Sequence, residues 1–253
     1  MSRIAIFSEV SAYTASQLPQ TTVAAVEQRD AVAVICGQSG WVKRAADALT
    51  AGACALVVAA PQYAPPQEVA RLIETAGKRP VVLDRPRLPA DVADAARPPT
   101  PHAVVIDAGG PAATLSSVAA DAAGWGRTLA GELVMRQTSM SLHALVALCE
   151  SRTGVAVTLA VSAMEGPVFL DGHALHATRT RVTADELDDT VVLRWEDRHG
   201  VREQPRVFET AARRSLRRVV DALRSAVEVH DLPELLHDVL LADALLSGTP
   251  ASR

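Results

Sequence analysis

Short apolar runs alternate with helical segments over the first part of the chain, a pattern typical of a parallel β-sheet covered by helices. Runs such as ALVVAA and PVVL do not alternate with polar residues, because strands of a parallel sheet are buried on both faces. Two of the intervening helices are expected to end at Gly52 and Gly77, where glycine allows a left-handed cap. Strands are predicted over residues 3–8, 31–37, 53–60, 80–84 and 103–107.

After Pro111 the pattern changes to a helical stretch that ends at about Gly126, a strand over 132–138 and a helix over 141–150. A run of strands follows, joined by turns that are too short to contain helices, and helices over 211–229 and 233–246 close the chain. The intervening strands are predicted over residues 155–163, 168–170, 174–182, 190–195 and 202–208. The fold class is therefore expected to be α/β, with a Rossmann-like parallel-sheet domain over 1–111. An α+β domain with a mostly antiparallel, open sheet and terminal helices is expected over 112–253.

Composition narrows the choice of partners. Of the 253 residues 49% are hydrophobic and 21% charged, and the net charge of −4 gives no basic surface for nucleic acid. No apolar run is long enough for a membrane span, and the three cysteines lie in apolar runs, as reduced core thiols do. His173 and His176 are expected to point to opposite faces of a strand, so no metal site is expected. We therefore expect a cytoplasmic protein that contacts neither membrane nor nucleic acid.

Residues 55–89, ALVVAAPQYAPPQEVARLIETAGKRPVVLDRPRLP, carry a resemblance to a known family. They resemble the fourth strand, helix and fifth strand of the Gfo/Idh/MocA oxidoreductases, which include glucose-fructose oxidoreductase and inositol dehydrogenase. In that family the fourth strand ends in Thr-Pro and the fifth strand ends in Glu-Lys-Pro. Here Ala60-Pro61 and Asp84-Arg85 followed by proline stand at those places.

Residues 139–154, SMSLHALVALCESRTG, look like the family helix that carries the pattern Asp-x-Gly-x-His-x-x-Asp. His143 stands at the histidine and Ser139 at the first aspartate. The resemblance implies that His143 and Arg85 are catalytic and that Asp84, Arg85 and Ser139 bind substrate. Arg85 cannot serve as a base because guanidinium stays protonated, but it can bind an anion. The alternatives are a core histidine at 143 and a surface ion pair at the end of a strand.

The chain departs from the family where a dinucleotide-binding site needs glycines, directly after the first strand. The sequence there is IFSEVSAYTAS, so Ser8, Val10 and Tyr13 stand near the glycine positions and Glu9 adds a carboxylate. Where the second strand ends, the sequence offers only Cys36, Gly37, Gln38 and Ser39 and lacks the acidic residue that accepts the ribose hydroxyls. We therefore expect no tightly bound cofactor. If NAD or NADP does bind, the contacting residues are expected to be Ser8, Glu9, Ala60 and Pro61.

Three functions remain open at this point. The first is a non-redox enzyme or pseudoenzyme that binds a small polar or anionic metabolite in an inter-domain cleft, with His143 transferring protons. The second is an active NAD(P)-dependent dehydrogenase of a sugar-like or inositol-like substrate. The third is a structural partner subunit of an active relative. A homodimer is expected in each case, because one face of the second sheet is left available for a subunit contact.

Overall fold

The computed structural model describes residues 3–97, 100–186, 190–205, 208–225 and 227–248. The helices are α1 (Trp41–Thr50), α2 (Pro66–Ala76), α3 (Ala90–Ala96), α4 (Leu115–Ala130), α5 (Ala211–Ser225) and α6 (Asp231–Ser247). The first five strands are β1 (Ile4–Ser8), β2 (Thr22–Ala24), β3 (Val32–Cys36), β4 (Ala55–Ala59) and β5 (Val81–Asp84). The others are β6 (Ala103–Gly110), β7 (Leu133–Met140), β8 (Ala144–Ser151), β9 (Ala156–Ala163), β10 (Phe169–Leu175), β11 (Arg179–Asp185), β12 (Thr190–Asp197) and β13 (Gly200–Glu203).

The chain forms two compact units. The first comprises Met1–Arg85 and Val207–Leu236, and the second comprises Pro86–Arg206 and His237–Arg253. The second unit begins before the expected division after residue 111, because β6 pairs with strands of the second sheet. The first unit also includes α5 from the later part of the chain. No helix in the described ranges is both long and apolar enough to cross a membrane.

The first unit contains the predicted parallel sheet, in the order β2-β1-β3-β4-β5. Almost every residue of β3 and β4 is buried, which explains why these strands are continuous apolar runs. One face packs against α5, whose Leu216 and Val219 join a core cluster with Val57 and Val82. Helices α1 and α2 pack against each other, and α1 also contacts β3 and β4. The predicted α/β class with a Rossmann-like sheet is confirmed.

The second unit contains an eight-stranded, mostly antiparallel sheet in the order β13-β12-β11-β10-β6-β9-β8-β7, as expected for this part of the chain. The assignment of residues 103–107 to the first sheet was wrong. These residues belong to β6, which pairs antiparallel with β10 and parallel with β9 near the middle of the second sheet. Val104 and Ile106 are buried, whereas Val105 and Asp107 are exposed. This alternation is typical of a strand that is covered on one face only. Over residues 103–107 the alternation is too short to show from the sequence which sheet the strand joins.

Helix α4 covers one face of the second sheet and contacts β6, β9 and β10. A Cβ at its Gly126 would lie 2.9 Å from Leu133 Cδ1, so the small residue lets the helix approach the sheet closely. Arg127 of α4 forms an ion pair with Asp238 of α6, at 2.8 Å between Nε and Oδ1. Helix α3 contacts α4 and strand β12 of the same sheet. Of the strand predicted over 202–208, residues 206 and 207 lie outside the described residues, and β13 ends at Glu203.

Candidate functional site

The carboxyl ends of parallel strands meet at one edge of the first sheet, where open α/β folds bind their ligands. The segment that follows β1 contains only a single 3-10 turn at Ala15–Gln17 before β2 begins. The Oγ of Ser8 donates to the carbonyl of Val10 at 2.8 Å and accepts its N–H at 3.1 Å. The N–H of Glu9 donates to the carbonyl of Val34 at 3.2 Å, and its side chain is exposed. No α-helix N-terminus therefore faces this edge from residues 9–21, all of which the structure describes.

Tyr13 fills part of the space beside β1. Its side chain is only 6% exposed and joins the core cluster that contains Ile6, Val34 and Ala59. The Tyr13 hydroxyl donates a hydrogen bond to Oδ2 of Asp84, at the end of β5. Burial, and then the negative charge of Asp84, raise the pKa of Tyr13 above its ordinary value. Tyr13 thus stays protonated at neutral pH and holds the loop after β1 against the end of β5.

This shift predicts how stability changes at alkaline pH. A tyrosine in the unfolded chain loses its proton above about pH 10, whereas the folded Tyr13 retains it, so the free energy of unfolding falls as pH rises through that range. The slope contributed by Tyr13 is about 1.4 kcal/mol per pH unit at most. Tyr13→Phe is expected to cost about 1–3 kcal/mol at neutral pH, and this deficit should shrink above about pH 10. Urea unfolding of the wild type and of Tyr13→Phe across this pH range measures the deficit. A deficit that does not change with pH would contradict a raised pKa for Tyr13.

Asp84 and Arg85 are both buried, with 7% and 8% of their surface exposed. The backbone carbonyl of Asp84 accepts the N–H of Ala60 at 2.9 Å, which ties the ends of β4 and β5 together. Asp84, expected to bind substrate, therefore contacts the protein's own Tyr13. This contact joins residues 71 positions apart and was not apparent from the sequence. The interpretation of Asp84 and Arg85 as a surface ion pair does not agree with their burial.

Backbone hydrogen bonds connect the loop after β3 to the loop after β4. The Gly37 N–H donates to the Ala59 carbonyl at 2.7 Å, and the Gly37 carbonyl accepts the Gln62 N–H at 2.8 Å. A Cβ at Gly37 would lie 2.4 Å from the carbonyl oxygens of Ala59 and Ala60, so glycine is required here by close approach. Ala60 adopts a φ of 50°, in the left-handed region. Ala60 and its neighbour Pro61 thus form a closely packed backbone segment at the sheet edge.

The guanidinium of Arg44, a residue of α1, lies at the end of β3. A dinucleotide-binding fold presents an acidic residue to the ribose in this region. The Arg44 guanidinium donates to the carbonyls of Cys36 at 2.8 Å, Ser39 at 2.9 Å and Gln38 at 3.0 Å. The arginine satisfies the carbonyls of the loop within the protein itself. Sequence reasoning missed this role, because Arg44 lies in the first turns of α1 and only the fold brings it back over the loop.

The helix expected over 141–150 is absent, and the structure places a turn followed by strand β8 there instead, paired with the preceding β7. His143 lies in the exposed turn between them, where its backbone carbonyl accepts the Ala163 N–H at 2.8 Å. Buried Leu145, Ala147 and Cys149 alternate with more exposed residues, a period of two that belongs to a strand. The alternative of a core histidine at 143 therefore does not hold, because the residue is exposed. The helix that precedes these strands is α4, which contains no histidine.

The second sheet presents an open face, defined here by the outward-pointing residues of two cross-strand rows. The first row contains Leu148, Thr158, Val105, His173, Arg181 and Arg194. The second contains Ser139, Val146, Ala160, Asp107, Asp171 and Thr183. Val105 on β6 is 39% exposed and Leu148 on β8 is 47% exposed, so this face carries exposed apolar side chains. Ser139, expected to bind substrate, lies on edge strand β7 at one end of the second row.

Charged residues on β10, β11 and β12 are paired within the chain. Arg181 donates to both carboxylate oxygens of Asp171, at 2.7 and 3.0 Å. Arg179 donates to Nδ1 of His173, and burial of the imidazole lowers the pKa of His173. Arg194 pairs with Glu203 at 2.9 Å. In the described ranges, no three His, Cys, Asp or Glu side chains form a group able to hold a metal ion.

Comparisons with known proteins identify the fold. No protein-family model matches the chain, and no curated protein matches it by sequence. Among solved structures it is similar to the UDP-N-acetylglucosamine 3-dehydrogenase GnnA from Acidithiobacillus ferrooxidans, with a TM-score of 0.71, 12% identity and 98% of each chain covered. It is also similar to KijD10, a 3-ketoreductase from Actinomadura kijaniata in complex with NADP, with a TM-score of 0.66, 14% identity and 98% of each chain covered. The chain therefore has the same fold as these two enzymes, and its own residues must decide the chemistry.

Proposed function

We propose that this chain is a degenerate member of the Gfo/Idh/MocA oxidoreductases that neither holds a nicotinamide dinucleotide tightly nor transfers hydride. The observation that carries the proposal is the buried Tyr13, whose hydroxyl donates to Asp84 at the edge where the parallel strands end. A pyrophosphate at this edge needs a tight backbone turn and a helix N-terminus. The segment after β1 offers a buried phenol and a 3-10 turn in their place.

In this proposal the chain acts on a small polar or anionic metabolite as a non-redox enzyme or pseudoenzyme. Asp84 and Arg85 place charge at the end of β5, the edge at which ligands of open α/β sheets bind. His143 is exposed in the second unit and is the group proposed for proton transfer. Its hairpin turn leaves the imidazole accessible, as a general acid or base requires.

A second candidate function is that of an active NADP-dependent dehydrogenase. It is favoured by the likeness of the fold to a 3-ketoreductase that was solved with NADP. Incubating the chain with NAD or NADP and with sugars, inositols and sugar nucleotides, while recording nicotinamide absorbance, separates the two candidates. Our proposal expects no substrate-dependent change. Turnover that is lost in an Arg85→Ala variant, but kept in a variant of exposed Arg152, would favour the dehydrogenase.

We also propose that two copies associate through the open face. The spacing of about 4.8 Å between eight strands sets the width of the open face, and the rise of about 3.3 Å per residue sets its length. Together they give an area of roughly 900 Å². This matches the roughly 800 Å² that each partner contributes to a stable interface. The exposed apolar side chains of Val105 and Leu148 and the internally neutralised arginines suit a second copy of the same face better than a strongly charged partner.

A further inference from the structure

Asp107 is a carboxylate at the centre of the open face. Its strand, β6, is the fifth of the eight strands in the sheet, with three strands beyond it on one side and four on the other. Asp107 also lies directly between Ala160 on β9 and Asp171 on β10. Any partner that covers the open face therefore covers Asp107, which would then lose contact with water.

The groups around Asp107 do not neutralise it. Asp171 faces it across the strand pair, but that carboxylate is already held by Arg181. His173 lies on the same face, two residues beyond Asp171 on β10, and its Nδ1 accepts a hydrogen bond from Arg179. The neighbouring residues of β9 on this face, Ala160 and Thr158, carry no charge. Within the described ranges, no arginine, lysine or histidine lies at ion-pair distance from Asp107.

A partner copy offers Asp107 no uncommitted cation either. The arginines on the open face, Arg136, Arg179, Arg181 and Arg194, each form an ion pair with a carboxylate of their own chain. Burial, and then the charge of Asp171, already raise the pKa of Asp107 in the single chain. Further burial without a cation raises the pKa of a carboxyl group further, because desolvation disfavours the charged form.

We propose that Asp107 makes the pairing of two copies through the open face depend on pH, the association tightening when Asp107 takes up a proton. The inference rests on the association proposed above and adds its regulation. The sign follows from linkage: the paired state binds more protons than the separate chains, so association strengthens as pH falls. His173 cannot supply this effect, because its pKa is lowered and its protonation would add a charge to the face.

The test is sedimentation equilibrium of the full chain between about pH 5 and about pH 8, for wild type and for Asp107→Asn. For wild type we expect the dissociation constant of the dimer to rise roughly tenfold or more over this range, since each pKa unit of difference contributes a factor of ten per carboxylate. Asp107→Asn should associate tightly with little pH dependence. Asp47→Asn, the same change in an exposed residue of α1 in the first unit, should retain the wild-type profile. Circular dichroism confirms that each variant is folded.

The outcomes separate this inference from the proposal beneath it. A dimer whose dissociation constant does not change with pH, or changes equally in Asp107→Asn, would overturn the role of Asp107 while leaving association in place. A chain of 26.7 kDa that sediments as a monomer at every pH, with and without the substitution, would overturn both.

Discussion

Replacing Asp238 by alanine is expected to lower the free energy of unfolding by about 3–5 kcal/mol, because it leaves a guanidinium in the protein interior without its carboxylate. The Asp238 side chain is fully buried and that of Arg127 is 9% exposed. Two hydrogen bonds join them, at 2.8 Å and 3.2 Å. The pair ties α6 to α4 and so attaches the end of the chain to the second unit. A loss of this size is a large part of the ordinary stability of a domain.

Urea unfolding followed by circular dichroism measures this loss, and two further variants give it a cause. Asp243→Ala removes an exposed carboxylate from the same helix and should change the free energy of unfolding by less than about 1 kcal/mol. The double variant Arg127→Met with Asp238→Leu removes both charges and should recover much of the loss. If the double variant is as unstable as Asp238→Ala, packing rather than an unpaired charge accounts for the effect.

The parallel sheet could be predicted because its strands carry their own signal. β3 and β4 are buried on both faces, so their sequences are apolar without interruption, and the glycines after the helices mark where each helix ends. The strand β6 carries the same kind of apolar run, and a run does not say which sheet it joins. Its partners β9 and β10 follow it in the chain by dozens of residues, so only tertiary packing decides its place.

The segment around His143 shows a different limit. Leu142, Leu145, Val146 and Leu148 have spacings that fit one side of a helix, and the resemblance to a family helix supported that interpretation. In the structure the turn at Ser141 and the pairing of β8 with β7 and β9 impose a period of two. Intrinsic preference over a short apolar segment is weaker than the pairing of two neighbouring strands. Resemblance to a degraded motif could not correct this, because only the histidine matched.

At the candidate site, the sequence indicated what is missing and the structure shows what replaces it. The absence of glycines after β1 was readable directly, as was the lack of an acidic residue at the end of β3. The contact between Tyr13 and Asp84 and the cap formed by Arg44 connect residues that are distant in the chain or on different elements. Such contacts depend on side-chain direction in the folded state, which composition and periodicity do not encode.

NAD, NADP and their reduced forms are expected to show no saturable binding to this chain below about millimolar concentration. A pyrophosphate at a helix N-terminus gains charge-assisted hydrogen bonds worth about 1.5–3 kcal/mol each, but only when the backbone comes within about 3 Å. Residues 9–21 present no such helix, and one of them, Tyr13, packs into the core of the parallel sheet. Losing two of these bonds costs about 3–6 kcal/mol, which weakens a micromolar site by roughly 10²- to 10⁴-fold, toward millimolar dissociation constants.

Calorimetric titration with each of the four dinucleotides measures this affinity directly, and the exposed Glu9 allows a matched control. Glu9→Gln removes the carboxylate that directly follows β1 in the chain, so any gain in affinity should stay below about tenfold. A much larger gain would show that like-charge repulsion, and not the missing helix, keeps the dinucleotide out. A low micromolar dissociation constant for the wild-type chain would contradict the proposed function itself, because the loop after β1 would then hold the pyrophosphate despite Tyr13. The likeness to the NADP-bound 3-ketoreductase would in that case extend from the fold to the cofactor.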